Sequence, residues 1–146
     1  MARALAVAGI RRKVALALEF EAIQDLGIEV CRNDVCLAGT LVELSEPTRS
    51  GEGFGVTLEP GDGEIHPFVD AVIWLGESQG YRLEVMYWPH SHAELQDGDR
   101  YALTLTQPDG TALLQLDETV EYEETYPNGV ECDVTPCRSV AFEVAP

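Results

Sequence analysis

Apolar residues alternate with small or polar ones along most of this chain, and this alternation restricts its fold more than any other feature. In residues 14–20 the larger apolar side chains occupy every second position, and residues 101–106 follow the same rule. A period of two places such side chains on one face of a β-strand, whereas a helix repeats about every 3.6 residues. We therefore expect an all-β fold.

Turn residues divide the alternating pattern into eight or nine short strands, which we place at residues 14–20, 27–31, 35–44, 56–58, 68–75, 81–88, 101–106, 111–122 and 139–144. Asn33 and Asp34 mark one hairpin turn, Asp109 and Gly110 mark another, and the glycine-rich residues 45–55 form a loop. Short strands at this spacing are typical of a β-sandwich or barrel. The 146 residues suit a single domain, in which the Ala-rich residues 1–12 form a loose or helical N-terminal extension.

One local pattern resembles the entry to strand F of immunoglobulin-like and fibronectin-type-III-like sandwiches. Leu95 is followed by the turn Asp97-Gly98-Asp99 and, six positions after the leucine, by Tyr101. The resemblance covers residues 81–116 and implies an antiparallel sandwich of about eight strands, with the Tyr101 hydroxyl bonded to the backbone in a tyrosine corner. Residues 126–139 also resemble the disulfide-closed ends of uncharacterised bacterial exported domains. Neither resemblance implies a function, because this architecture has many functions.

Four cysteines form two pairs with the same spacing, Cys31 with Cys36 and Cys132 with Cys137. An even count in a short β-rich chain favours disulfides and an oxidising, extracellular or periplasmic compartment. Cys31 and Cys36 are expected to face each other across a hairpin. Zinc bound by all four cysteines and free thiols remain alternatives. The short apolar stretch at residues 4–10 precedes basic residues, which is the wrong order for a secretion signal.

The charge of the chain is strongly acidic, with 26 acidic residues against 9 basic ones and a net charge of −17. Such a field repels phosphate backbones, so nucleic acid is a poor partner. No apolar run approaches the roughly 20 residues that a membrane-spanning helix needs, so we expect no membrane insertion. The expected partner is an unknown protein or glycan.

Histidines and acidic turns are the candidate metal ligands, although we expect no resident cofactor. On an extended segment His90 and His92 point to the same side and could hold zinc or copper, with His66 or a carboxylate as a third ligand. Calcium is the alternative, bound by one of two acidic turns. The residues of these turns are Glu59, Asp62 and Glu64 in the first, and Asp97 and Asp99 in the second.

The aromatic residues of the predicted strands have two interpretations. Trp74, Tyr81, Tyr87 and Trp88 either form a platform for a sugar or protein, or belong to the core and its edge. The motifs G-x-S-x-G and H-E-x-x-H do not occur. Our hypothesis is a non-enzymatic exported module for binding, adhesion or structure. A metal-binding protein and a small hydrolase are the alternatives.

Overall fold

The chain forms two β-sheets that enclose one core. The computed structural model describes residues 10–42, 44–61, 63–64, 67–76, 80–125 and 137–144, with the backbone alone at residues 92, 125 and 137–144. The strands of this part are β1 (Ile10–Leu16), β2 (Gly27–Arg32), β3 (Val35–Thr40), β4 (Gly53–Leu58), β5 (Phe68–Leu75), β6 (Tyr81–Trp88), β7 (Arg100–Thr106), β8 (Ala112–Thr119), β9 (Glu123–Thr125) and β10 (Cys137–Val144). The six-stranded sheet has the order β4-β5-β6-β1-β10-β9, and the four-stranded sheet has the order β3-β2-β7-β8. The predicted all-β sandwich is confirmed.

The alternating apolar residues of the strands form the core, and the residues between them lie on the outer faces of the sheets. Val69, Ala71 and Ile73 of β5 and Leu83 and Val85 of β6 are buried, while their chain neighbours lie on the outer face. Successive side chains of a strand point to opposite sides, so each sheet presents one apolar face to the other. The predicted bounds of β5 and β6 are confirmed at both ends.

The first strand lies in the middle of the six-stranded sheet. It pairs antiparallel with β6 and parallel with β10, and the alternation of residues cannot show this parallel pair. The predicted strand at residues 14–20 is shifted, because β1 begins at Ile10 and ends at Leu16. Residues 10–12 thus belong to the sandwich and not to an N-terminal extension, whose other residues lie outside the described part.

Two short helices connect strands at the ends of the sandwich. Helix α1 (Phe20–Gln24) follows β1, and a 3-10 helix (His92–Glu94) follows β6. Helix α1 was not predicted; its Phe20 and Ile23 are buried against the core. Neither helix in the described part of the chain is long and apolar enough to cross a membrane.

Strand β4 replaces part of the predicted glycine-rich loop. Gly53 and Gly55 lie in this edge strand and pair with Trp74 and Val72 of β5. A Cβ atom on Gly53 would lie 2.5–2.7 Å from three carbons of the Trp74 indole. The indole therefore lies against the backbone of Gly53, and only glycine leaves room for this contact.

Candidate functional site

The β2–β3 hairpin carries the predicted disulfide. Cys31 and Cys36 face each other in the register of the two strands and are bonded, with their Cα atoms 4.0 Å apart. Asn33 has a φ of 54° in the two-residue turn, a conformation that asparagine tolerates better than most residues. Cys132 lies outside the described residues, and Cys137 is described at the backbone only, so the second disulfide stays a prediction.

A group of hydrogen-bonded polar side chains, three of which are buried, lies beside the tip of this hairpin, and we call it the Arg32 cluster. Its members come from β2, from the 3-10 helix and the turn after it, and from the segments around β7 and β8; they are Arg32, Asn33, Glu94, Asp99, Tyr101 and Tyr122. Arg32 Nε donates to Asp99 Oδ2 at 3.0 Å, and Arg32 Nη2 donates to the carbonyl oxygen of Glu94 at 2.6 Å. The Asn33 amide also donates to Asp99, at 3.2 Å.

Two tyrosines extend the Arg32 cluster into the core. The Tyr122 hydroxyl donates to Asp99 Oδ2 at 2.8 Å, and it lies 2.6 Å from the Tyr101 hydroxyl. Because Tyr122 uses its proton on Asp99, Tyr101 donates to Tyr122. The sequence resemblance implied a bond from the Tyr101 hydroxyl to the backbone; among the described residues, its partner is a second tyrosine 21 positions away.

Burial and hydrogen bonding set the pKa values in the Arg32 cluster. Burial alone would raise the pKa of Asp99, but bonds from the Gln96 N–H, Tyr122 and Arg32 outweigh it and hold the pKa below its usual range. Burial would lower the pKa of Arg32, and the hydrogen bond to Asp99 raises it above its ordinary value. Burial also raises the pKa of Tyr122. The Arg32 cluster therefore holds one ion pair, between Arg32 and Asp99, that further hydrogen bonds stabilise.

The predicted histidine site falls in a turn and not on an extended segment. His90 is exposed, and its backbone N–H donates to Glu94 Oε1 at 3.0 Å. His92 begins the 3-10 helix, so the i and i+2 geometry assumed for a strand does not apply. The side chain of His92 and the whole of His66 lie outside the described residues. A metal site at His90 and His92 therefore stays a prediction.

The two acidic turns differ in how their carboxylates are used. Asp97 Oδ1 accepts the Tyr122 N–H at 2.9 Å, and Asp99 belongs to the Arg32 cluster. Glu59 and Glu64 of the other turn are exposed, and Asp62 lies outside the described residues. Calcium binding at either turn stays a prediction.

One group of three potential metal ligands occurs among the described side chains. Glu29, Cys31 and Cys36 place their ligand atoms within 4.8 Å of one another. Both sulfurs are joined in the disulfide, so neither is a thiolate ligand in this state.

Several aromatic and basic side chains lie on the outer face of the six-stranded sheet, outside the core. Tyr87 is buried at 2% exposure, as the core interpretation expected, whereas Trp88 and Trp74 lie on the outer face. Trp88 stacks on Phe68 with ring centroids 5.8 Å apart. The indole Nε1 atoms of Trp74 and Trp88 are buried and have no hydrogen-bond partner among the described residues. Both tryptophans are partly buried and lie outside the core itself, so the structure leaves open whether they form a platform or an edge of the core.

An open groove of about 690 Å³ crosses this outer face beside Trp74. We call it the Trp74 groove, and it is lined by Lys13, Ser50, Gly51, Trp74, Leu75, Gly76, Arg82 and Glu84. Arg82 is the direct cross-strand neighbour of Trp74. Cβ atoms of such neighbours lie about 4.5–5.5 Å apart, so the two side chains leave the same face of the sheet from adjacent positions.

The arginine of this groove differs from the other arginines of the molecule. Six arginine side chains are described, and five of them form ion pairs, with Glu84, Glu118, Asp99, Glu52 and Asp117. Arg82 is exposed and has no carboxylate partner among the described residues. Glu84 in the same groove already binds Arg11 at 3.3 Å. In a chain with 26 acidic residues, an arginine without a carboxylate partner stands out.

Arg82 is not among the residues predicted from the sequence, although the sequence holds a signal for it. Position 82 has the same parity as Trp88 and the opposite parity to Leu83, Val85 and Tyr87. Parity alone therefore assigns Arg82 and Trp88 to one face of β6. The juxtaposition with Trp74 additionally needs the β5–β6 register, which pairs residue 74 with residue 82.

No protein-family model matches the chain, and no curated protein or solved structure matches it significantly.

Proposed function

We propose that this protein is a non-enzymatic, exported binding module that takes an anionic ligand in the Trp74 groove. The observation that carries the proposal is Arg82, exposed beside Trp74 and without a carboxylate partner among the described residues. Lys13 lines the same groove, and the one described carboxylate there, Glu84, is compensated by Arg11. The disulfide between Cys31 and Cys36 supports an oxidising compartment.

The acidity of the rest of the molecule is compatible with an anionic ligand. At physiological ionic strength the Debye length is about 8 Å, so carboxylates farther away than this are largely screened. A small ligand in the groove is then governed by the charges that line it. The surrounding acidic surface would instead repel long polyanions such as nucleic acid.

Collisional quenching of tryptophan fluorescence tests whether the groove attracts anions. The chain has two tryptophans, so Trp88→Phe leaves Trp74 as the reporter and Trp74→Phe leaves Trp88. We expect iodide to quench Trp74 more than caesium does, each relative to its quenching of free tryptophan, against the direction that a net charge of −17 would impose. Acrylamide, which is neutral, corrects for the different exposure of the two rings.

Replacing Arg82 supplies the decisive comparison. A unit charge about 6 Å away in water contributes about 0.7 kcal/mol, or roughly threefold in local anion concentration. Arg82→Gln in the Trp88→Phe background should lower the iodide quenching constant by about that factor. Arg100→Gln makes the same charge change on the other sheet and should leave it unaltered. Equal iodide quenching with and without Arg82, or stronger quenching by caesium, would overturn the proposal.

A further inference from the structure

We infer that the ligand of the Trp74 groove is a short acidic saccharide, whose ring stacks on Trp74 and whose carboxylate binds Arg82. This inference rests on the proposed function and assigns a chemical class to its ligand. It depends on the position of the indole, on the use of the backbone groups at the rim, and on the cross-strand pairing of Trp74 with Arg82.

The indole of Trp74 is held as a flat plate on the surface of the sheet. Three of its ring carbons lie 2.5–2.7 Å from the position of a Cβ atom on Gly53, so one side of the ring packs on the glycine backbone. Trp74 is partly exposed and lines the groove. A plate of this kind suits the flat C–H face of a pyranose ring, because both surfaces are apolar and both ligand and ring keep their polar edges outside the contact.

The rim of the groove offers little to a peptide backbone. The Gly51 N–H donates to the Leu75 carbonyl at 3.0 Å, the Leu75 N–H to the Glu52 carbonyl at 3.2 Å, and the Gly76 N–H to the Gly80 carbonyl at 2.9 Å. These groups are already bonded within the chain. Extended peptides are commonly recognised by adding a strand to a free sheet edge, whereas this groove lies across a sheet face.

The cross-strand pairing of Trp74 with Arg82 suits one acidic sugar residue. Trp74 and Arg82 are direct cross-strand neighbours, with Cβ atoms about 4.5–5.5 Å apart. In a uronic acid the carboxylate is attached directly to the ring, so stacking and charge recognition occur within one residue. Arginine binds a carboxylate through two parallel N–H···O bonds, which fixes the orientation of the sugar on the plate.

The size of the groove favours an oligosaccharide over a single small anion. Its volume of about 690 Å³ is in the range of pockets that bury small organic ligands. It is open along the sheet face, so neighbouring sugar residues extend from Trp74 toward Ser50 on one side and toward Lys13 on the other.

Calorimetric titration with three short probes tests the inference on the full chain at about 0.15 M salt. The probes are trigalacturonate as acidic saccharide, maltotriose as neutral saccharide and triglutamate as acidic peptide. We expect trigalacturonate to bind and each of the other two to bind at least tenfold more weakly. Arg82→Gln and Trp74→Ala should each reduce trigalacturonate affinity by about tenfold or more, as loss of a charged hydrogen bond or a stacking contact does. Arg100→Gln should bind like the unaltered protein.

The other outcomes separate the ligand class from the proposed function. If triglutamate binds and trigalacturonate does not, or if no probe binds while iodide still quenches Trp74 preferentially, the saccharide is wrong and the anion site remains. If maltotriose binds as tightly as trigalacturonate, recognition of the carboxylate is wrong. Trigalacturonate affinity unchanged by Arg82→Gln also overturns the inference. Failure of the iodide test removes the anion site itself, and the inference with it.

Discussion

Arg32 and Arg82 each lie near aromatic residues, but they differ in burial and in the protein groups that they bind. Arg32 is mostly buried, donates to Asp99 and Glu94, and belongs to a cluster in which the hydroxyl of Tyr122 also finds its acceptor. Arg82 is exposed and has no ion pair among the described residues, and the indole N–H of the adjacent Trp74 lacks a partner there too. The contrast shows one arginine held in an ion pair and another without a carboxylate partner among the described residues.

The contrast follows from what burial does to a charge. A buried arginine is tolerated only when its charge and its N–H groups are satisfied by the protein, because water is absent. An exposed arginine is satisfied by water and needs no protein partner, so its position is free to be set by a ligand. The following changes test this division between the Arg32 cluster and the Trp74 groove.

The largest effect is expected for Asp99→Ala. The change leaves Arg32 without its buried carboxylate and removes the acceptor of Tyr122 and Asn33. Breaking a buried ion pair in this way costs about 3–5 kcal/mol, so the free energy of unfolding in urea should fall by that amount. Asp117→Ala is the matched control, because its pair with Arg100 is exposed, and it should cost about 1 kcal/mol or less. Similar losses in the two variants would contradict a structural role for the cluster.

The pH dependence of stability sharpens the same prediction. The folded-state pKa of Asp99 is lowered, so its ionised form stabilises the fold above the unfolded-state pKa of about 3.9. This contribution is lost as the pH falls through the folded-state value. The stability difference between the unaltered protein and Asp99→Asn should therefore shrink below about pH 4, the unfolded-state value. A difference that stays constant down to pH 2 would mean that Asp99 does not act through its charge.

Tyr122→Phe should have the next largest effect. The Tyr122 hydroxyl donates to Asp99 and accepts from Tyr101. Its removal therefore leaves the buried Tyr101 hydroxyl without this acceptor and takes one hydrogen-bond donor from the Asp99 carboxylate. We expect a loss of about 1–3 kcal/mol in the free energy of unfolding. Tyr81→Phe removes a hydroxyl that donates to Glu46 at the surface, 3.1 Å away, and should cost about 0.5 kcal/mol or less. Equal losses for both tyrosines would remove the distinction between a buried and an exposed partner.

Gly53→Ala tests the other region, where the indole of Trp74 depends on the missing side chain. A Cβ atom would lie 2.5 Å from the ring, so the indole has to move. Overpacking of this kind costs about 1–3 kcal/mol, and we place this edge-strand position at the lower end. The fluorescence of Trp74 in the Trp88→Phe background should change with it. Gly80→Ala is the control, because a Cβ atom there meets nothing within 4 Å. An unchanged Trp74 spectrum in Gly53→Ala would show that the plate is not held by the glycine.

How much of these regions the sequence could predict depends on whether a contact is local. The hairpin disulfide was predictable, since the turn at Asn33 and the strand period bring Cys31 opposite Cys36. The pairing of Tyr101 with Tyr122 was not, because no local pattern determines which side chains meet across 21 residues. Gly53 and Gly55 favour a loop by residue type, and only the register with β5 shows that Gly53 gives room to Trp74.

The aromatic residues make the same point at the scale of one strand. Tyr87 and Trp88 are adjacent aromatic residues of β6. Because successive side chains of a strand point to opposite faces, Tyr87 lies in the core and Trp88 lies on the outer face. Their proximity along the chain suggests that the two rings form one group, whereas the alternation of side chains along a strand places them on opposite faces. No local argument shows that Arg82 lacks a carboxylate partner among the described residues, because recognising this requires knowing the partners of the other arginines.

The smallest effect on stability is expected for Arg82→Gln, and this small effect is what distinguishes the two regions. Arg82 is exposed and unpaired among the described residues, so the free energy of unfolding should change by about 0.5 kcal/mol or less. Arg32→Gln, measured alongside it in urea, should lose several kcal/mol, because Asp99 is then buried without its cation. A loss above about 1 kcal/mol for Arg82→Gln, beyond the range of ordinary surface substitutions, would reveal a structural partner. A neutral effect on folding combined with a reduced response of Trp74 to iodide assigns Arg82 to a ligand, since folding would then give no reason for a guanidinium at this position.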